Sequence, residues 1–113
     1  MKSIGIVIPA YQEAENILTL IRRIRKNINC LIIVVDDSPN LKIREIIFKN
    51  KIKNIKYYNR GKKDGRGSAV IFGFKKLIKI KKKLNCLIEM DADLSHRPSE
   101  LKRNISYFHK NSL

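Results

Sequence analysis

Four short apolar runs, each closed by a polar or proline-bearing break, constrain this chain more than anything else in it. The first, Ile4-Gly5-Ile6-Val7-Ile8, is β-branched everywhere except at the glycine and shows no polar alternation. A strand with one face in water alternates, whereas one buried on both faces of a parallel sheet is apolar throughout. Residues 31–35 repeat the pattern, residues 84–90 keep a mostly apolar run broken by Asn85 and Glu89, and residues 52–58 give a weaker version whose polar positions are mostly lysines. Lysine suits an edge, because its charge discourages pairing with another chain.

Between these runs apolar residues return at helical spacing. They are Ala14, Ile17, Leu18, Ile21 and Ile24, then Ile43, Ile46 and Ile47, then Val70, Phe74, Leu77 and Ile78. After Pro98, which suits a first helical position, come Leu101, Ile105 and Phe108. The order β-α-β-α-β-α-β-α predicts an α/β protein, an open parallel sheet of four strands with helices on both faces. With right-handed crossovers and strand order 3-2-1-4, the first and fourth strands flank the topological switch point. Ligands of such sheets bind beyond the carboxyl ends of the strands, in that crevice. Three breaks are expected to face it: Pro9-Ala10-Tyr11-Gln12-Glu13, Asp36-Asp37 and Asp91-Ala92-Asp93.

At 113 residues with 43% hydrophobic content the chain reads as one domain over residues 1–113. Its net charge of +15 favours an anionic partner: nucleic acid, a membrane surface or a phosphorylated substrate. A Lys-rich solvated surface is the plain alternative. The acids are more telling than the total. Of ten, five (Glu13, Asp36, Asp37, Asp91 and Asp93) fall at or just past strand ends. Carboxylates in such places are costly to desolvate unless compensated, and hard divalent cations shared with phosphate oxygens are a common compensation. Cys30 and Cys86 lack metal spacing and read as reduced core thiols of a cytoplasmic protein. No apolar stretch reaches the roughly 18 residues of a membrane span, so any bilayer contact is expected to be peripheral.

Two familiar phosphate motifs are excluded. The first strand-helix turn contains no glycine, and the pattern begun by Gly65-Arg66-Gly67 has Val70 at its sixth position. A P-loop from Gly61 would need glycine and lysine at the positions of Arg66 and Gly67. Taken alone, the Asp-x-Asp of Asp91 and Asp93 is a weak signal. Asp36 suits turn chemistry and Asp37 a ligand contact. Tyr11 either covers the sheet edge or stacks on a ligand. Glu13 either supports a helix N-terminus or faces the crevice. The basic loop with Arg60, Lys62, Lys63 and Arg66 is either solvated or holds an anion. His96 and His109 read as surface residues.

Taken in order, Ile6-Val7-Ile8-Pro9-Ala10-Tyr11-Gln12-Glu13-Ala14-Glu15-Asn16, Ile33-Val34-Val35-Asp36-Asp37-Ser38-Pro39, Gly65-Arg66-Gly67-Ser68-Ala69 and Met90-Asp91-Ala92-Asp93-Leu94-Ser95-His96-Arg97-Pro98 resemble family 2 glycosyltransferases of the GT-A fold. Within that family the dolichol-phosphate mannose synthase group is the most similar. The resemblance implies that Pro9, Tyr11, Glu13, Val35 and Asp37 contact a nucleotide. It implies that Asp91, Ala92 and Asp93 hold Mg2+ or Mn2+ and a sugar diphosphate, with Asp91 and Asp93 as the catalytic pair. Ser95, where some relatives carry a glutamine, is implied as a further ligand acting through water. The implied reaction moves a hexose from a nucleotide-sugar (GDP-mannose or UDP-glucose) to a polyprenyl phosphate, at the cytoplasmic face of a membrane.

Two departures stand out. The turn after Asp37 is shorter than the family's and lacks a later acid, and the resemblance covers only the N-terminal, nucleotide-binding half of a family member. A second chain supplying the acceptor half, or a non-catalytic remnant that binds nucleotide-sugar, is therefore an alternative expectation. An aspartyl phosphotransferase is disfavoured because its motif follows a first strand, not a fourth. A nucleic-acid binder is disfavoured because the basic residues are dispersed and lack RNA-binding aromatic motifs.

Overall fold

The computed structural model describes residues 4–81, 84 and 86–92. The expected helix after Pro98, together with Asp93, Ser95, His96 and His109, lies outside the described residues. Within them the order is β1 (Ile4–Ala10), α1 (Ala14–Asn27), β2 (Leu31–Asp36), α2 (Lys42–Lys49), β3 (Ile55–Asn59), α3 (Arg66–Ile80) and β4 (Cys86–Glu89). The strands form one sheet in the order β3-β2-β1-β4, every neighbouring pair parallel. The expected 3-2-1-4 sheet is present.

Every residue of β1 and β2 is buried, as their unbroken apolar runs require. Alternation then divides the side chains between two cores. Ile6, Ile8, Ile32 and Val34 meet Ile17, Leu20, Ile21 and Ile24 of α1 and Ile43 and Ile47 of α2. On the other face Val7, Ile33 and Val35 meet Ala69 and Leu77 of α3. Cys30 and Cys86 are buried thiols in the first of these cores, and neither is in a disulfide.

Three expectations shift. On α3 the buried stripe is Ala69, Gly73 and Leu77, while Ile78 is half exposed. The cause is close approach: a Cβ on Gly73 would lie 2.4 Å from Val7 Cγ1, so the helix rests on its smallest residues. On α1 it is Leu20, not Leu18, that is fully buried. The third strand starts at Ile55 rather than Ile52, because Lys51 and Asn54 take positive φ of 50° and 59° and break the extended run. Ile52 still packs against the first core, which accounts for its apolar character.

Candidate active site

The carboxyl ends of β1, β2 and β4 lie side by side. Ala10 is level with Asp36, and Val7 with Glu89, so the chain leaves β4 toward Asp91 beside the Pro9 end of β1. Backbone bonds lock the exits together. The Asp37 N–H donates to the Ala10 carbonyl at 2.9 Å, and the Met90 N–H to that of Val7 at 3.0 Å. The turn after β1 is tied to the turn after β2 as well, because the Gln12 N–H donates to Ser38 Oγ at 2.7 Å. Gln12 holds φ at 55°, a left-handed conformation that costs a non-glycine residue about 1 kcal/mol.

Above these exits opens a cleft of about 340 Å3. Its walls come from Pro9, Ala10, Tyr11 and Glu13 on the first turn, Asp37 on the second, and Asp91 with Ala92 on the last. Six residues given a role from the sequence, Pro9, Tyr11, Glu13, Asp37, Asp91 and Ala92, therefore share one cavity, and Val35 does not line it. Val35 is wholly buried, with its side chain in the core beneath α3. Only its main chain is left to meet a ligand.

The two neighbouring aspartates do different things. Asp36 is fully buried: its Oδ1 accepts the Ser38 N–H at 3.0 Å and its Oδ2 accepts the Tyr57 hydroxyl at 2.5 Å. This is turn chemistry plus a strand-to-strand tie. Burial first, and then the bond to Asp36, push the Tyr57 phenol well above its ordinary range. Asp37 sits at the cleft floor with Arg60 Nε on Oδ1 at 2.7 Å and Nη2 on Oδ2 at 2.8 Å. Arg60 also donates from Nη1 to Ser68 Oγ at 2.8 Å, and its charge lies 5.7 Å from the Phe72 ring centroid.

Glu13 stands at the N-cap of α1 and accepts a bond from Asn16 Nδ2 at 3.0 Å, so it serves the helix start as well as lining the cleft. Tyr11 keeps 38% of its surface exposed, and Lys63 Nζ sits 5.0 Å above its ring centroid. Opposite, Arg66 reaches from the first residue of α3 to two carboxylates. Its Nη1 lies 2.8 Å from Glu89 Oε2, and its Nε donates to Asp91 Oδ1 at 2.6 Å while Nη2 contacts the same oxygen. The carboxylate bond of Asp91, more than anything else, pushes the Arg66 guanidinium further up. Gly65, just before it, has φ of 91°, which a side chain would strain.

Lys63, Gly65, Arg66 and Ala69 line the same cavity and were not among the residues assigned a role from the sequence. The signal that pointed to them was the basic, glycine-bearing loop, which left solvent and ligand as equal choices.

A hard divalent cation fits the donors present. Asp91 offers carboxylate oxygens on the wall of an open cleft, and a guanidinium already sits where positive charge is needed. Among the described residues no three His, Cys, Asp or Glu gather, so protein oxygens alone do not make a cage there. Mg2+ sites often use one or two carboxylates and complete the shell with substrate phosphates and water.

The cleft lies beyond the carboxyl ends of the strands at the switch point between β1 and β4, where open α/β sheets bind their ligands. The model of the glycosyl transferase family 2 matches residues 5–113, and the chain belongs to that family. It is 37% identical over 109 residues to a dolichol-phosphate mannosyltransferase of Pyrococcus furiosus, covering 90% of this chain and 29% of the relative. It is 32% identical over 102 residues to a polyprenol monophosphomannose synthase of Mycolicibacterium smegmatis, covering 87% and 38%. An undecaprenyl-phosphate 4-deoxy-4-formamido-L-arabinose transferase of Pectobacterium atrosepticum is 29% identical over 115 residues, covering 95% and 34%. The chain thus spans about a third of the length of these relatives. The crystal structure of S. aureus TarS shares the fold, with TM-score 0.63 and 19% identity, covering 97% of this chain and 20% of that one.

Proposed function

We propose that this chain forms the donor-binding part of a glycosyltransferase that moves a hexose, mannose from GDP-mannose, onto a dolichyl-type polyprenyl phosphate. The observation that carries this is the meeting of Tyr11, Asp37 and Asp91, from three separate strand exits, in one cleft of a family 2 chain. The names of the similar proteins support a polyprenyl phosphate acceptor.

Each residue has a role that its surroundings suit. Tyr11 offers a ring face to the nucleotide base. Asp37, aimed by Arg60, accepts a hydrogen bond from base or ribose. Lys63 stands at the mouth, where a diphosphate would lie. Asp91, with Asp93, would hold Mg2+ or Mn2+, and Ser95 would reach it through water. Such an ion, when bound, offsets the charge that develops on a departing nucleoside diphosphate. The acceptor phosphate is already anionic at neutral pH, so the site has to position it rather than deprotonate it.

Calorimetry with GDP, GDP-mannose and UDP-glucose, with and without Mn2+, tests this on wild type, Asp91→Asn and Asp93→Ala. Metal-dependent binding of the guanine ligands, lost in both variants, is the expected result. Binding indifferent to metal and to both substitutions would overturn the site. The +15 charge supports docking of the protein on the anionic cytoplasmic face of a membrane. Equal sedimentation with neutral and anionic vesicles would count against that.

A further inference from the structure

The Arg66 guanidinium lies on the same carboxylate that a cation would need. Its Nε is 2.6 Å from Asp91 Oδ1, and its Nη1 is 2.8 Å from Glu89 Oε2. A guanidinium on Asp91 offsets the negative charge that would draw a divalent ion to that carboxylate, and it repels the ion itself. The two positive groups therefore compete for Asp91.

We propose that Arg66 is a built-in counter-ion for Asp91, which the cation displaces and the donor's diphosphate then receives. Cation and nucleoside diphosphate would in consequence bind as a coupled pair. This rests on the assignment of Asp91 as a metal ligand made above. Three observations carry it beyond that assignment.

First, the pair is displaceable. The Arg66 side chain is 51% exposed and those of Glu89 and Asp91 are 41% and 29% exposed, so water screens the contact and its net strength is small. Second, Arg66 has somewhere to go. It leaves the first turn of α3, directly after Gly65, on the wall of the cleft that also holds Lys63. A planar guanidinium that leaves one carboxylate fork can form the same fork with phosphate oxygens. Third, Glu89 keeps the side chain close when Asp91 is taken, because it anchors the other end of the fork. A diphosphate that accepts Arg66 removes the competitor for the cation. By linkage the cation must strengthen diphosphate binding by the same factor.

Titration of Mn2+ into the protein, followed by electron paramagnetic resonance of the free ion, with and without GDP, reads the coupling directly. Arg66→Leu is expected to bind Mn2+ alone about three-fold tighter than wild type, and to lose most of the enhancement that GDP confers. Glu89→Gln, which keeps Arg66 but takes away its other anchor and one nearby negative charge, is expected to weaken binding of Mn2+ alone by about two- to three-fold while keeping the GDP enhancement. It also guards against a folding defect in the first variant. Equal Mn2+ affinity in wild type and Arg66→Leu, with GDP-coupled binding intact in both, overturns the counter-ion role and leaves the metal site standing. Absence of Mn2+ binding in wild type even with GDP overturns both.

Discussion

Arg60 grips Asp37 with two parallel hydrogen bonds, 2.7 Å from Nε and 2.8 Å from Nη2, just under the candidate nucleotide cleft. The Asp37 and Arg60 side chains are 6% and 14% exposed, so neither charge is well hydrated. Removing one partner of such a pair strands the other. Arg60→Leu is expected to cost about 3 kcal/mol of stability, read from urea unfolding. Replacing both residues by leucine should recover part of that loss, since no charge is left buried. A double variant no more stable than Arg60→Leu would mean that Arg60 acts through Ser68 and Phe72 instead.

Tyr57 sets an alkaline limit. Burial and the bond to Asp36 raise its phenol above the ordinary 10.0, so the folded chain keeps a proton that the unfolded chain gives up. The unfolded state then binds fewer protons, and stability falls as pH rises. The contribution is intact below about pH 10 and lost progressively above it. Burial also raises the Cys30 thiol above 9.0, which adds a loss of the same sign from about pH 9. Thermal midpoints measured from pH 7 to 11 are expected to hold level and then drop. The drop beyond pH 10 should be shallower in Tyr57→Phe, which has no proton to lose. Parallel curves for the two proteins would remove Tyr57 as the cause.

Gly73 is where α3 touches the sheet. An added methyl would sit 2.4 Å from Val7 Cγ1 and 3.1 Å from Val35 Cγ2, both in side chains with no exposed surface. Valine has one stiff rotatable bond, so these groups cannot swing aside. Alanine gains about 1 kcal/mol in helix propensity over glycine, while overpacking costs about 1–3 kcal/mol. Gly73→Ala should therefore be net destabilising. Adding Val7→Ala makes room, so the pair should be destabilised by less than the sum of its parts. Strict additivity in urea unfolding would place the strain elsewhere.

The sheet was legible in the sequence because burial on both faces writes itself into every position of a strand, as in β1 and β2. The strand order 3-2-1-4 was taken as one that right-handed crossovers allow, and the sheet has it. Helix phase on α3 was not legible: Val70 and Ile78 looked inward by hydropathy, yet contact distance put Ala69 and Gly73 against Val7. Size, rather than apolarity, chose that face. At the site, Tyr11, Asp37 and Asp91 announced themselves as polar residues at strand exits. Arg60 and Arg66 stood out only as members of a basic loop that was either solvated or held an anion, because their carboxylate partners, Asp37 and Asp91, come from distant strand exits. Gln12 was silent for a similar reason, its left-handed turn being held by Ser38, 26 positions away.

Tyr11 provides the sharpest test of ligand binding without chemistry. The residue is 38% exposed on the wall of the cleft, and Lys63 Nζ lies 5.0 Å from the ring centroid. A base arriving there exchanges an exposed ammonium contact for stacking, which is worth about 1–3 kcal/mol per base. Tyr11→Ala is expected to weaken GDP binding about ten-fold, equivalent to ~1.4 kcal/mol. Tyr11→Phe keeps the ring and should bind almost as wild type does. Every base has a face to stack, so UDP should lose about as much as GDP. Neither substitution removes a buried contact, and thermal midpoints should stay close to that of wild type. If Tyr11→Phe loses as much as Tyr11→Ala, the hydroxyl rather than the ring meets the ligand. If both bind GDP as wild type does, the base lies elsewhere and Tyr11 only shields the end of β1.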